Sequence, residues 1–317
     1  MFYSCGTDSV SQMRIGIFGG ETGQGADGID ELIKSVHEVA DQGFPSYWKS
    51  QIFGSDALTA LAVAGNHVPG IELGTAVIPT YPRHPLMLAN QALTVQSAIG
   101  DRLALGIGLS HQIVIEQMFG YSYDKPVRHM REYLTVLRGV FDERNVQFKG
   151  ESLSAMAPST IAPEVPAPRV LVAALGTQML NVTGRLADGT ITWMTGPATL
   201  AEHTVPTLKS AAAEAGRPDA CRVVAGFPVC VTDDPQAARE RAASELVIYG
   251  QLPSYRAMLD REGLGGPADV AIVGDEATVR AGIERIGEAG ATDFLAAEFG
   301  HTEEERTRTR ELLRSLL

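Results

Sequence analysis

A (β/α)8 TIM barrel of the α/β class, with insertions in its loops, is the fold the sequence predicts, on three observations. Short apolar runs alternate with helical patterns eight times along 317 residues, at about 40 residues per unit. Turns entering the runs repeat a glycine, at Gly43, Gly70, Gly100, Gly189, Gly216 and Gly290, where a finished helix needs a left-handed residue free of a Cβ clash. A hydrophobic content of 44% against 20% charged is enough to fill one large core.

In chain order, Met13-Arg14-Ile15-Gly16 reads as the structural start, so residues 1–12 are expected to be a disordered extension and 13–317 a single domain. Strands are expected near 14–19, 46–48, 71–77, 103–107, 170–174, 190–192, 222–231 and 293–299, each a short apolar run bounded by Gly, Pro or Asp. Helices are expected near 28–42, 56–66, 85–99, 128–141, 179–186, 200–215, 235–261 and 303–317. The chain exceeds the usual ~250 residues of such a barrel, and two insertions absorb the surplus. Residues 145–154 alternate around Lys149-Gly150 like a hairpin, and 158–168 form a Pro-rich return to the fifth strand. The helix after the seventh strand reads as extended or broken from Val247 to Gly265. An open doubly wound sheet is the competing architecture. Gly16-Ile17-Phe18-Gly19-Gly20 does not match the dinucleotide spacing, and no acidic residue ends the second strand at Trp48-Lys49-Ser50-Gln51.

The formal net charge of −12 argues against a nucleic-acid or membrane-surface partner, leaving a small-molecule substrate. Cys5, Cys221 and Cys230 have neither metal nor disulfide spacing, which fits a reducing cytoplasm. No apolar run approaches the roughly 18 residues of a membrane span, and the first dozen residues do not read as a signal peptide.

Barrel enzymes converge their chemistry on the C-terminal strand ends, so the residues there can be read as one pocket wall. These are Trp48, Ser50 and Gln51; Ala76, Val77, Thr80, Tyr81, Arg83 and His84; Gly108, Ser110 and His111; Ala174, Leu175, Gly176 and Thr177; and Trp193, Met194, Thr195 and Gly196. Both tryptophans of the chain fall in this set, either to line a planar ligand or to plug the top of the barrel. Leu175-Gly176-Thr177 opens a helix where free N–H groups and the helix dipole can hold a phosphate; alternatively, Gly176 only closes a tight turn. His111 is the best proton-handling candidate, because imidazole titrates near neutrality. His129 lies in a basic helix that reads as a solvated face or as steering for an anionic tail. GxSxG, HExxH and the P-loop are absent, and no metal cluster can be assembled. Aromatic walls, an anion cradle and few nucleophiles point to a cofactor carrying the chemistry.

The stretches LGTAVIPTYPRHP, LALGIGLSHQIVIEQMFG, PVRHMREYL, VLVAALGTQML, RLADGTITWMTG and IVGDEATVRAGIERIGEAGATDF resemble the bacterial luciferase-like monooxygenase superfamily, over Met13 to about Phe299. TYPRHP and GIGLSH resemble its coenzyme F420-dependent oxidoreductase branch of actinobacterial type. The resemblance implies a third-strand bulge with a non-prolyl cis peptide at Ala76-Val77, backing the deazaflavin ring. It implies cofactor contacts from Ser50, Ala76, Val77, Gly108, Ser110, Ala174, Leu175, Gly176, Thr177, Trp193 and Thr195, with the phosphate near Gly108, Ser110 and residues 175–177. His111, Gln51 and Trp48 would be the catalytic group, and a homodimer is implied. The F420-dependent sugar-phosphate and alcohol dehydrogenases carry an Asp–His pair and a glutamate where this chain has Ser50-Gln51 and His111, so sugar-phosphate dehydrogenation is a poor expectation. Deazaflavin lacks N5 and handles hydrides rather than oxygen, so a monooxygenase reading would require FMN instead. A flavin- or deazaflavin-binding barrel without turnover is the third expectation.

Overall fold

The computed structural model describes residues 13–19, 28–157, 164–219 and 221–317. The expected extension over 1–12, Gly20, and residues 158–163 of the Pro-rich return lie outside the described residues. Eight parallel strands close into a barrel: β1 (Arg14–Phe18), β2 (Ser46–Lys49), β3 (Glu72–Thr75), β4 (Leu103–Gly108), β5 (Arg169–Val172), β6 (Gly189–Trp193), β7 (Arg222–Val231) and β8 (Asp293–Glu298). Each strand pairs with its sequence neighbour, and β8 closes the ring on β1 through Arg14–Asp293 and the three pairs above it. Helices α1 (Ile29–Asp41), α2 (Ala57–His67), α3 (Pro85–Ala98), α4 (Pro126–Glu143), α5 (Thr177–Leu186) and α6 (Val205–Glu214) alternate with the first six units. Their starts follow ordinary capping chemistry: the Asp56 carboxylate accepts the Thr59 N–H, and Pro85 and Pro126 sit where a missing N–H costs nothing.

The expected seventh helix is three pieces, α7 (Pro235–Glu245), α8 (Val247–Gln251) and α9 (Pro253–Glu262), divided at Leu246 and again before Pro253. A strand at Ile272–Gly274 and a helix α10 (Glu276–Glu288) follow before β8, and α11 (Glu303–Arg314) ends the chain. Neither of the first two was expected from the apolar runs. Three residues are too short a run to read as a strand; they extend the sheet because β7, ten residues long, outlasts β6 and offers Val229–Val231 for pairing.

The barrel interior is layered. At the N-terminal end the first residues of four strands, Arg14, Glu72, Arg222 and Asp293, form an ion network. Arg222 reaches the Asp293 and Glu72 carboxylates at 2.7 and 2.6 Å, and Arg14 lies 3.3 Å from Asp293. Above them Trp48, Ala104, Leu171, Ile191, Val224 and Leu295 pack together, with Phe18, Ala76, Val77 and Ala173 against that cluster. The Arg222 guanidinium lies 5.4 Å from the Trp48 ring centroid.

The 145–154 hairpin is present as antiparallel Val146–Lys149 and Ser154–Ala157. It is pinned to α4 rather than hanging free: the buried Glu132 carboxylate accepts the N–H groups of Glu151, Ser152 and Leu153 at 2.9, 2.8 and 3.1 Å. The His84 imidazole donates to the Ser154 carbonyl from the other side. Glu132→Ala leaves three N–H groups without their acceptor and is expected to cost about 1–3 kcal/mol while speeding tryptic cleavage at Lys149. Unchanged cleavage would mean that the two strands hold the hairpin unaided.

Candidate active site

Small residues build the end of β3. Beyond Thr75 the Ala76-Val77 peptide is cis, and the chain regains pairing at Ile78–Pro79 against Ile107–Gly108. The bulge is locked from the side. Thr75 Oγ1 donates to the Gly106 carbonyl at 2.8 Å and accepts the Gly106 N–H at 2.9 Å. A Cβ on Gly106 would stand 1.9 Å from the Thr75 carbonyl oxygen, and one on Gly108 would stand 2.6 Å from Val77. The two glycines therefore serve the neighbouring strand, which must approach this closely.

The loop after β5 is open where a phosphate would need room. Ala174 is buried, while Leu175, Gly176 and Thr177 turn outward at the start of α5. Gly176 is the N-cap with no side-chain cap, and a Cβ there would meet nothing within 4 Å. The first N–H groups of α5 are thus available to an anion. Inside the rim, the Leu175 carbonyl lies 2.8 Å from Nε2 of the buried His203. After β6, the Thr192 and Thr195 hydroxyls are buried without a partner among the described residues. Such groups fit a ligand with polar atoms to offer.

Aromatic rings cross the mouth in contact order: Phe18–Trp193 at 5.6 Å, Trp193–Tyr249 at 6.3 Å, Tyr249–Tyr255 at 5.0 Å and Tyr255–His111 at 6.1 Å. Helices α8 and α9 supply the two tyrosines. The Glu262 carboxylate at the end of α9 accepts the Thr199 N–H and ties this excursion to the β6 loop. Burial pushes the His111 imidazole below its ordinary value, so at neutral pH it is an uncharged donor–acceptor. Ser110 takes a left-handed conformation, φ 61°, and its carbonyl accepts the Tyr123 hydroxyl.

Three readings of the sequence change here. Trp48 is fully buried, its indole N–H donating to Ser46 Oγ at 2.9 Å, and a Cβ on Gly74 would strike its ring at 2.1 Å; it is a plug inside the barrel and not a catalytic wall. Gln51 has its amide oxygen committed to the Ala57 N–H at 2.7 Å, so it caps α2 and keeps only its amide N–H groups for other work. His129 is no solvated face: its ring stacks on Tyr81 at 4.0 Å and lies 3.0 Å from Thr80 Oγ1. Ser50 and Lys49 are both buried at the end of β2, and Lys49 drew no notice in the sequence. Glu298, which ends β8, is clamped by Arg310. Thr75, Tyr249, Tyr255 and His203 were missed altogether. Only the threonine carried a local signal, a hydroxyl one residue before a bulge.

Burial pushes the His129 imidazole down to about 4, with Glu132 opposing weakly. Its folded value lies below the ordinary value of about 6.5, so the chain gains stability above pH 6.5 and loses it as the pH falls toward 4. His129→Phe keeps a ring on Tyr81 and removes the titration. It is expected to flatten the pH dependence of the urea midpoint between pH 6.5 and 4.5; an unchanged slope would assign the dependence to other groups.

The site is thus a closed parallel barrel with a bulged third strand, an uncapped helix start after the fifth and an aromatic mouth. The family model for luciferase-like monooxygenases matches residues 13–302, and the chain belongs to that family. An uncharacterized protein of Mycobacterium tuberculosis is 31% identical over 236 residues, covering 70% of this chain and 69% of that protein. The 5,10-methylenetetrahydromethanopterin reductase of Archaeoglobus fulgidus is 26% identical over 252 residues, 76% and 72% of the two chains. The coenzyme F420-dependent tetrahydromethanopterin reductase of Methanopyrus kandleri superposes with a TM-score of 0.79 at 20% identity, over 97% of this chain and 99% of that one.

Proposed function

We propose that the chain is a coenzyme F420-dependent oxidoreductase that transfers a hydride between the deazaflavin C5 and a small organic substrate. The observation that carries this reading is the juxtaposition on one rim of the bulge at the end of β3, made room for by Gly106 and Gly108, with the open helix start at Gly176. Relatives named as F420-dependent enzymes support it. When bound, the deazaflavin supplies a carbon that accepts or gives a hydride.

The chain's own residues have the following work in this reading. Ala76 and Val77 back the ring. Gly108, Ser110 and the N–H groups of 175–177 hold the phosphate, and the Thr195 hydroxyl and Ser50 complete the cofactor's contacts. Trp193, Tyr249 and Tyr255 exclude water from the reacting face, which strengthens every polar contact inside. His111, neutral at pH 7, can donate a hydrogen bond to a substrate carbonyl oxygen, or take the proton of a substrate hydroxyl as general base. Exposed large apolar side chains follow three of the strands: Ile52 and Phe53 after β2, Ile113, Met118 and Phe119 after β4, and Val247 and Ile248 after β7. They favour an apolar ketone or enone over a sugar phosphate. A homodimer is part of the same reading.

FMN is the second reading, because the cradle at Gly176 suits any flavin phosphate. The test is an anaerobic titration of the purified chain with F420 and with FMN, followed by redox assays on alcohols, aldehydes and enones. Tighter binding and reduced F420 turnover with an apolar acceptor are the expected results. Tighter FMN binding would overturn the proposal.

A further inference from the structure

We propose that His203 is a positioning residue for the cofactor phosphate: it holds the Leu175 carbonyl inward and thereby aims the Gly176 N–H at the anion. The proposal rests on the reading that the loop after β5 holds that phosphate.

His203 lies on the π-helical turn Leu200–Thr204 after β6, a different element from the loop it touches, and is 8% exposed. Its Nε2 is 2.8 Å from the Leu175 oxygen. A carbonyl only accepts, so Nε2 carries the hydrogen. Leu175 stands between two fixed points. The Ala173 N–H makes the last sheet bond, to Ile107, and the Gly176 carbonyl makes the first helical bond, from Leu180. The peptide joining Leu175 to Gly176 belongs to neither ladder.

That peptide is planar and trans, so its C=O and N–H point in opposite directions. With the carbonyl turned in toward His203, the N–H faces the open rim. Glycine alone would not decide this, because it tolerates either orientation of the preceding peptide plane at small cost. The wrong orientation would present a carbonyl oxygen to the phosphate and repel it. A buried donor on the inner side removes that alternative, so the cradle is built before the anion arrives.

The test compares two probes on the intact chain: F420, and the deazariboflavin that has the same ring and ribityl chain without the phosphate. His203→Leu removes the donor, and His203→Gln keeps an N–H on the side chain. In fluorescence titrations, His203→Leu is expected to weaken F420 about tenfold and leave the phosphate-free compound unchanged, with His203→Gln recovering most of the loss. Equal weakening of both compounds would make His203 merely structural and overturn the proposal, as would no weakening of either. If the unaltered chain binds the two compounds equally well, the phosphate is held elsewhere and the underlying reading falls first.

Discussion

Arg222→Met is expected to destabilise the fold by about 3–5 kcal/mol, because it removes one partner of a buried ion network and strands the other. Methionine keeps most of the volume beside Trp48, so packing changes little. What is lost is charge. The buried Asp293 carboxylate takes Arg222 Nη2 at 2.7 Å and Nε at 3.1 Å and retains only Arg14 at 3.3 Å and the Thr292 hydroxyl afterwards. In the native chain burial alone would push Asp293 up, but Arg222 and then Arg14 hold it below the usual aspartate range. Its stabilising contribution is therefore present above the unfolded value of about 3.9 and lost only as the pH falls through the lower folded value. In the variant burial dominates and the folded value rises above the unfolded one, so acid relieves the penalty. The stability gap between the two chains, read from urea midpoints, should narrow from pH 8 to pH 5. An equal gap at both would show that the network acts through packing instead.

Gly176→Asp should separate binding from stability. Aspartate is among the best N-cap residues and complements the helix dipole, and the backbone here, φ −78° and ψ 151°, already suits a cap with open space for its side chain. The melting temperature is expected to stay level or rise slightly. The same carboxylate occupies the phosphate cradle with the wrong sign, so affinity for F420 should fall at least tenfold, about 1.4 kcal/mol or more, and the loss should shrink at high salt. A chain that is more stable and a poorer binder has no explanation in damaged folding. Unchanged affinity would move the phosphate to another loop.

The barrel was legible because its signals are local: short runs of the right period, glycines at helix ends, and turns at regular spacing. The open helix start at 176–177 was legible for the same reason, as a glycine and a threonine between a strand and a helix. Trp48 was misplaced because a strand end looks alike from sequence whether its ring faces the mouth or the interior. The choice is made by Gly16 and Gly74 on the flanking strands, whose missing side chains open the space inward. Tyr249, Tyr255 and His203 escaped notice because their meaning lies in what they touch across long separations. Nothing near Tyr255 says that its helix folds back over a loop more than a hundred residues earlier in the chain.

The plug formed by Trp48 over the Arg222 network also bears on traffic. With the base of the barrel sealed by a ring and four charges, the N-terminal end is closed to a small molecule among the described residues, which leaves the end where the strands finish. In the proposed function, cofactor and substrate would share that end. In the proposed function the partner bound deeper would leave last, so depth, rather than chemistry, would set the order of release.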